Sequence, residues 1–318
     1  MILSILLFIV SIGILYLGAE MLVKGASSLA LKLGLSALVV GLTVVAFGTS
    51  APELVVSLNA AFTGKGNIAI GNAIGSNIFN TTIILGLAAL VKPLLVQRQL
   101  LRKDTPIMIG VMIVFAVFFF DYKIGRLEAA TLFLLLIGYT TYQIKQSRKE
   151  SRKVVHDFGS SIEPELPKSK LYLDVILVIA GLGALVGGSE LMVHHAVIMA
   201  KLLGMSDALI GLTIIAAGTS MPELATSVLA SFKGKSDIAI GNIIGSSVFN
   251  ILAIIGLSGV ITPIEAPEIH FRDISIMIGM SVLMFIFLIT KRSLSKQEGL
   301  VLVAGYVAYI LFLLLRMY

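Results

Sequence analysis

Apolar residues run along this chain in long stretches whose length fits one kind of element. Ten segments, at about 2–23, 37–62, 68–91, 105–120, 127–144, 171–193, 206–231, 238–261, 273–290 and 298–315, carry few charges or none. A helix needs about 20 apolar residues to cross the hydrocarbon core of a bilayer. A closed β-barrel would show segments of about ten residues with alternating polarity, and these runs do not alternate. The opening MILSILLFIVSIGILYLG has no basic leader and no small-residue cleavage site, so it reads as a first span rather than a signal peptide. The pattern predicts an all-α polytopic membrane protein with ten transmembrane helices.

The polar residues inside these runs are not scattered. Gly41–Leu87 recurs at Gly211–Leu257 at an offset of 170 without a gap, and 28 of the 47 aligned positions are identical, so the chain is a duplication. GLTVVAFGTSAPELVVSL is matched by GLTIIAAGTSMPELATSV, and IAIGNAIGSNIFN by IAIGNIIGSSVFN. At the same offset Gly18-Ala-Glu20 faces Gly188-Ser-Glu190, Pro93 faces Pro263 and Arg102 faces Arg272. Each copy holds five spans, an odd number, so the second copy enters the membrane from the opposite face. The predicted organisation is two inverted five-helix repeats, 1–142 and 171–318, joined by a cytoplasmic linker loop at 143–170. Secondary transporters commonly use this plan, with ions bound near the midplane at interrupted helices.

Interruption is written into the second and seventh spans. Pro52 has no N–H, so the carbonyl of Gly48 loses its helical partner, and Gly48 itself weakens the helix. Pro222 and Gly218 repeat the arrangement. Carbonyls around Ala46–Thr49 and Ala216–Thr219 therefore become candidate acceptors, tolerated at membrane depth only if protein, water or an ion satisfies them. Helical spacing puts Thr43, Ser50, Glu53 and Ser57 on one stripe and Thr213, Ser220, Glu223 and Ser227 on its twin. Asn72, Ser76 and Asn80, with Asn242, Ser246 and Asn250, form matching stripes on the next spans. The donor set is hard oxygen, without His, Cys or Met, which selects Ca2+, Na+ or another hard cation over Zn2+ or Cu. Neither glutamate span contains Lys or Arg, so Glu53 and Glu223 require protons or cations. Gly71/Gly75 and Gly241/Gly245, at GxxxG spacing, read as packing surfaces. Asn72 and Asn242 fit either helix packing or support of the site, and Glu20 and Glu190 read as interfacial.

Composition agrees: 57% of residues are hydrophobic, 13% are charged, and the mean hydropathy is +1.01. The net charge of +6 does not call for nucleic acid, because 18 of the 24 Lys and Arg residues fall in alternate loops. Basic loops stay on the cytoplasmic side, so both termini are expected outside a cell (plasma or inner) membrane. The hydrophilic stretch Gln143–Tyr172 is too short for a domain, and its basic residues serve orientation or meet anionic lipid. Cysteine is absent, which excludes disulfides and thiolate sites. No enzyme is expected: Ser50 and Ser220 have no histidine at their depth, since His156 lies in the linker and His194, His195 and His270 fall near span ends. The H-E-x-x-H motif is also missing. A passive channel is the other reading, which counter-ion dependence of flux would separate from an exchanger.

GTSAPE with GSNIFN, and GTSMPE with GSSVFN, resemble the two α-repeats of the cation/calcium antiporter superfamily, specifically its prokaryotic sodium/calcium exchangers. The resemblance covers essentially the whole chain. It implies Ca2+ ligation by Glu53 and Glu223 with the carbonyls of Thr49 and Thr219. It implies Na+ sites at Ser50, Ser76, Ser220 and Ser246 with the carbonyls of Ala46 and Ala216, and Asn80 and Asn250 lining the centre. The first and sixth spans would slide over the remaining bundle. Cofactors are not implied; the partners are the transported Ca2+ and Na+ and the lipid bilayer, with no obligate protein partner. The implied function is a Na+/Ca2+ antiporter, with Ca2+/H+ or other divalent cation/proton exchange as the alternative. The serine-rich GTSxPE favours Na+, because the proton-coupled branch replaces that segment with a GNxxE-type motif. One position departs from the family: Asn250 stands where an aspartate is usual, leaving two carboxylates rather than three. Two glutamates balance one Ca2+, whereas three Na+ would leave one net charge, worth about 2.3 kcal/mol per 100 mV. Asn250→Asp is expected to alter the Na+ dependence or pH profile of transport more than maximal Ca2+ flux, and an unchanged Hill coefficient and pH profile would contradict this.

Overall fold

The computed structural model describes residues 2–158, 170–202 and 216–317. The chain opens with α1 (Ile2–Leu33), longer than the span read from the sequence. The second span is bent: α2 (Ala37–Thr49) and α3 (Ala51–Phe62) meet at 48°. Then come α4 (Gly66–Val91), β1 (Leu94–Leu95), α5 (Thr105–Phe118), β2 (Lys123–Ile124) and α6 (Arg126–Phe158). The second half holds α7 (Leu171–Leu202), α8 (Ala216–Thr219), α9 (Met221–Phe232), α10 (Ser236–Ile261), β3 (Ile264–Glu265), α11 (Phe271–Lys291), β4 (Ser293–Leu294) and α12 (Lys296–Met317).

Among the described residues seven helices are long and apolar enough to cross a membrane, eight if the bent pair α2–α3 counts as one span. Of the other two expected spans, α5 is 14 residues long, preceded by a π-helical turn at Leu100–Asp104 that carries Arg102, Lys103 and Asp104. The start of the other, at 206–215, lies outside the described residues, as does Thr213.

Two expectations need correction. Among the described residues the chain is nearly all helical rather than all helical, because four two-residue strands pair antiparallel, β1 with β4 and β2 with β3. The segment 143–170 is not a loop throughout, since α6 continues unbroken to Phe158. The reason is local: Gln143 is buried and bonds Asp104 and Gln99, and buried Ser147 accepts the Ser36 N–H at 2.8 Å. Residues 159–169 lie outside the described residues.

The contacts repeat with the copies exchanged. Adding 170 to β1 gives β3, and adding it to β2 gives β4, so the pair β1·β4 becomes β3·β2. The most extensive helix contact joins the first helices of the two copies, α1 and α7. Gly18 lies against Gly181 and Leu185, Gly25 against Asp174 and Val178, and Gly188 against Ile14 and Leu15, so the two helices run antiparallel. Lipid supplies no hydrophobic drive for helices to associate, and small residues let backbones approach closely. The connections gather at two ends. At one, β2 meets β3, and the Glu268 N–H donates to Asn67 Oδ1 at 3.2 Å. There Glu265 holds the Lys123 ammonium, 2.6 Å away, above its usual range. At the other end β1 meets β4, Gln97 bonds Asp237 at 2.8 Å, and Lys233 pairs with Glu20 at 2.7 Å. Buried Asp174 ties α7 to α1 through Lys32 and Ser28.

A Cβ on Gly181 would fall 2.7 Å from the Leu22 nitrogen and 2.8 Å from the Gly18 carbonyl oxygen, both backbone atoms that cannot swing away. Gly181→Val is therefore expected to lower stability by about 1–3 kcal/mol, read as an earlier midpoint in a detergent melt; an unchanged midpoint would show that the contact yields.

Candidate functional site

Each copy breaks its helix at the residue before the glutamate helix. Ser50 has φ −83° and ψ 9°, and Ser220 has φ −91° and ψ 10°, with Pro52 and Pro222 in the first turn of α3 and α9. Glu53 and Glu223 consequently lie in the first turns of those helices, where partial positive charge favours a carboxylate. The carbonyl freed by Pro222 accepts a hydrogen bond at 2.5 Å from Ser189 on α7. Ala19 stands at the equivalent place in the first copy. The Ala46 carbonyl, expected to be free, still accepts the Ser50 N–H at 3.0 Å and lies 3.5 Å from Ser246 Oγ.

The two breaks meet, and the serine of each copy serves the carboxylate of the other. Ser50 Oγ donates to Glu223 Oε1 at 2.8 Å, and Ser220 Oγ donates to Glu53 Oε1 at 2.9 Å. Ser246 Oγ reaches the same Glu223 oxygen at 3.4 Å, and Ser220 Oγ lies 3.3 Å from Ser76 Oγ. Asparagines brace this arrangement. Asn72 donates to Ser57 Oγ at 3.0 Å and to the Glu53 carbonyl at 3.3 Å. Asn242 repeats the first bond to Ser227 at 3.0 Å and accepts from Thr49 Oγ1 of the other copy at 3.1 Å. Both asparagines thus support the site as well as the packing.

Both glutamates are almost completely buried, at 1% and 0% exposure, and neither forms a salt bridge among the described residues. Their Oε2 atoms, both side-chain polar atoms of Asn80 and the Oδ1 of Asn250 are buried without a hydrogen-bond partner among the described residues. Natural interiors leave few such atoms unpaired. Four of the five are oxygens, and a hard cation is the ligand class that oxygens of carboxylates and amides accept together. Among the described residues no group of three or more His, Cys, Asp or Glu offers a further metal site. Asn80 and Asn250 each begin a π-helical turn, Asn80–Ile84 and Asn250–Ile255. Such turns are frequent at functional sites.

Of the expected residues, Glu53, Glu223, Ser50, Ser220, Ser76, Ser246 and Thr49 join this hydrogen-bonded network. Asn80 is buried with both polar atoms open, and Ala46 contributes its carbonyl. Thr219 is half-buried at the end of α8, and the side chain of Ala216 lies outside the described residues. Thr43 does not take part, since its hydroxyl donates to the Val39 carbonyl of its own helix at 2.6 Å. Asn77 escaped the sequence reading. It receives the Asn250 amide at 3.1 Å and donates to the Ser247 carbonyl at 3.2 Å, bridging the copies beside the open oxygens. Its position in the other copy is Ser247, so identity between copies gave no signal for it.

The family described as sodium/calcium exchanger protein matches the chain twice, over residues 3–145 and 173–315. The sodium/calcium exchanger MaX1 of Methanosarcina acetivorans is 33% identical, over 96% of this chain and 97% of its own. The inner membrane protein YrbG of Escherichia coli is 35% identical, over 98% and 96% respectively. Among solved structures, the sodium-calcium exchanger NCX_Mj soaked with 2.5 mM Na+ and 0.1 mM Ca2+ matches with a TM-score of 0.83 and 29% identity, covering 98% of both chains.

Ser50→Ala and Ser220→Ala each remove one donor to the carboxylate of the opposite copy. Each is expected to weaken divalent-cation binding by about 10- to 100-fold, the worth of a hydrogen bond to a charged group, as measured by calorimetry. A large loss in one variant and none in the other would contradict the crosswise arrangement.

Proposed function

The chain belongs to the sodium/calcium exchanger family, and from that premise we propose that it exchanges Na+ for Ca2+ by alternating access, expelling Ca2+ on inward Na+ flow. The observation that carries the reading is the pair of buried carboxylates, each held by a serine of the other copy and each with one open oxygen. Ca2+ would be held between Glu53 and Glu223 with the carbonyls of Thr49 and Thr219. Na+ would occupy flanking positions made by Ser50, Ser76, Ser220 and Ser246 with the carbonyls of Ala46 and Ala216, and Asn80 and Asn250 would line the centre. The two sets share the glutamate oxygens, so the ions compete.

Electrostatics then supplies the coupling. An empty site holds two carboxylates in a dry interior, and burying an uncompensated charge is costly. The bundle therefore rearranges only when cations cancel that charge, which forbids a return stroke without an ion. Ca2+ leaves the site neutral, and three Na+ would leave it at +1. The moving part would be α1 with α7, which form one antiparallel pair tied by Lys32 and Asp174. In the same proposal the ten spans form two inverted repeats in a plasma or inner membrane, with both termini outside. Exchange for H+ is the second reading, because protonation also discharges Glu53 and Glu223 and Asn250 supplies no third carboxylate.

In proteoliposomes an outward Na+ gradient is expected to drive uptake of radiolabelled Ca2+, and equal uptake driven by a proton gradient in Na+-free buffer would reject Na+ coupling. Glu53→Gln and Glu223→Gln are each expected to reduce this uptake to near background while leaving the folded protein intact by size-exclusion; retained transport in both would remove the glutamates from the site.

A further inference from the structure

Beside the ion site, but not part of it, an apolar groove of about 780 Å3 runs between α1 and α7 on one side and the end of α4 with α9 on the other. Ile12 and Tyr16 line it from α1, Leu90 and Val91 from α4, and Ala225 and Phe232 from α9. It begins beside Met221 and ends at Val91 and Phe232. Phe232 is 71% exposed, so the groove opens sideways toward the hydrocarbon.

The end of the groove is cationic. Val91 and Phe232 are each followed directly by a lysine, Lys92 and Lys233. Ser231 Oγ draws the two helix ends together by donating to the carbonyls of Ala88 and Lys92, at 2.6 and 3.2 Å. The Lys92 ammonium lies over Gly234, 2.9 Å from where a Cβ would stand, and so next to Lys233 and Lys235 in sequence. Gly234 has φ +72°, which glycine adopts without strain, and its missing side chain leaves room for that ammonium. Lys235 donates to Ser27 on α1 at 2.7 Å, and Lys24 follows Glu20 by one helical turn. Two carboxylates face these four cations: Glu20, paired with Lys233, and Asp237, bonded by Gln97. Burial, and after it the nearby Lys233, hold the Lys235 ammonium below its usual range.

The duplication supplies an internal comparison. At the offset of 170 the groove-end residues Val91-Lys92 correspond to Ile261-Thr262, and Phe62-Thr63 corresponds to Phe232-Lys233. The apolar residues recur, while the lysines occur in one place only. Orientation of the chain calls for basic residues on this side of the membrane, but not for two of them at the mouth of one apolar groove.

We propose that this groove binds one anionic phospholipid, with an acyl chain between α1 and α9 and the phosphate on Lys92 and Lys233. Charge complementarity selects the occupant, because a zwitterionic headgroup offers the same chain without net negative charge. The site spans α1 and the helices it packs on, so an occupied groove holds that contact open. It goes beyond the exchange reaction and does not depend on which ion drives it.

Native mass spectrometry of the full chain in detergent, with phosphatidylglycerol and phosphatidylcholine of identical acyl chains, tests the proposal. The expected result is one retained phosphatidylglycerol per chain, and Lys92→Gln, which breaks no pair among the described residues, should reduce it about fivefold, with a similar further loss from Lys233→Gln. Ala225→Trp, filling the groove without touching a lysine, should also lower retention, whereas Lys65→Gln with Lys123→Gln at the opposite end should not. Equal retention of the two lipids, undiminished phosphatidylglycerol on the Lys92→Gln/Lys233→Gln variant, or the same loss from the opposite-end variant would overturn it.

Discussion

Two carboxylates buried with no basic partner among the described residues are the constraint around which this molecule is arranged. A buried ion is tolerated only when something close compensates it, and here, among the described residues, hydroxyl donors reach one oxygen of each glutamate and nothing reaches the other. Several groups near Glu53 and Glu223 hold that incomplete coordination in place. The helix breaks at Ser50 and Ser220 aim the hydroxyls, Asn72 and Asn242 fix the helices behind the glutamates, and π-helical turns begin at Asn80 and Asn250, whose own side-chain oxygens have no partner among the described residues.

The same crosswise logic extends through the scaffold. Each strand pair joins one copy to the other, α1 packs on α7 through facing glycines, and α2 lies backbone to backbone on α10. A Cβ on Gly245 would meet the Leu42 carbonyl oxygen at 2.5 Å and Ala46 Cβ at 2.7 Å, so this contact sets the distance between one copy's break and the other copy's serine helix. Close packing in lipid is specific because it rests on shape rather than on expulsion of water. The precision of the site therefore derives from small residues some distance from it.

Much of this was legible in the sequence because duplication prints the important residues twice. Glu53/Glu223, Ser50/Ser220 and the prolines stood out by identity, and their polarity inside apolar runs marked them as paired with something. What could not be read were contacts that only one copy makes. Asn77 and Ser189 have Ser247 and Ala19 as counterparts, so the repeat hid them. The Lys32–Asp174 pair brings together two residues 142 positions apart at opposite ends of their helices, a match that hydropathy does not encode. The strands are two residues long, too short for any period, and the helical stretch after Gln143 is polar in composition yet pinned by Asp104 and Ser36. A family resemblance carried the fold further than the residues alone, but it did not indicate which hydroxyl serves which carboxylate.

That last assignment bears on how such a molecule could have arisen. Because Ser50 attends Glu223 and Ser220 attends Glu53, a polypeptide carrying a single copy has a carboxylate and a serine that cannot satisfy each other. An unfused ancestor of half this length would complete the site only as a homodimer, each subunit lending its serine to the other's carboxylate. Fusion removes the need for a second chain: both halves of the site then arrive on one polypeptide, and residues such as Asn77, Ser189 and Lys92 become free to differ from their twins.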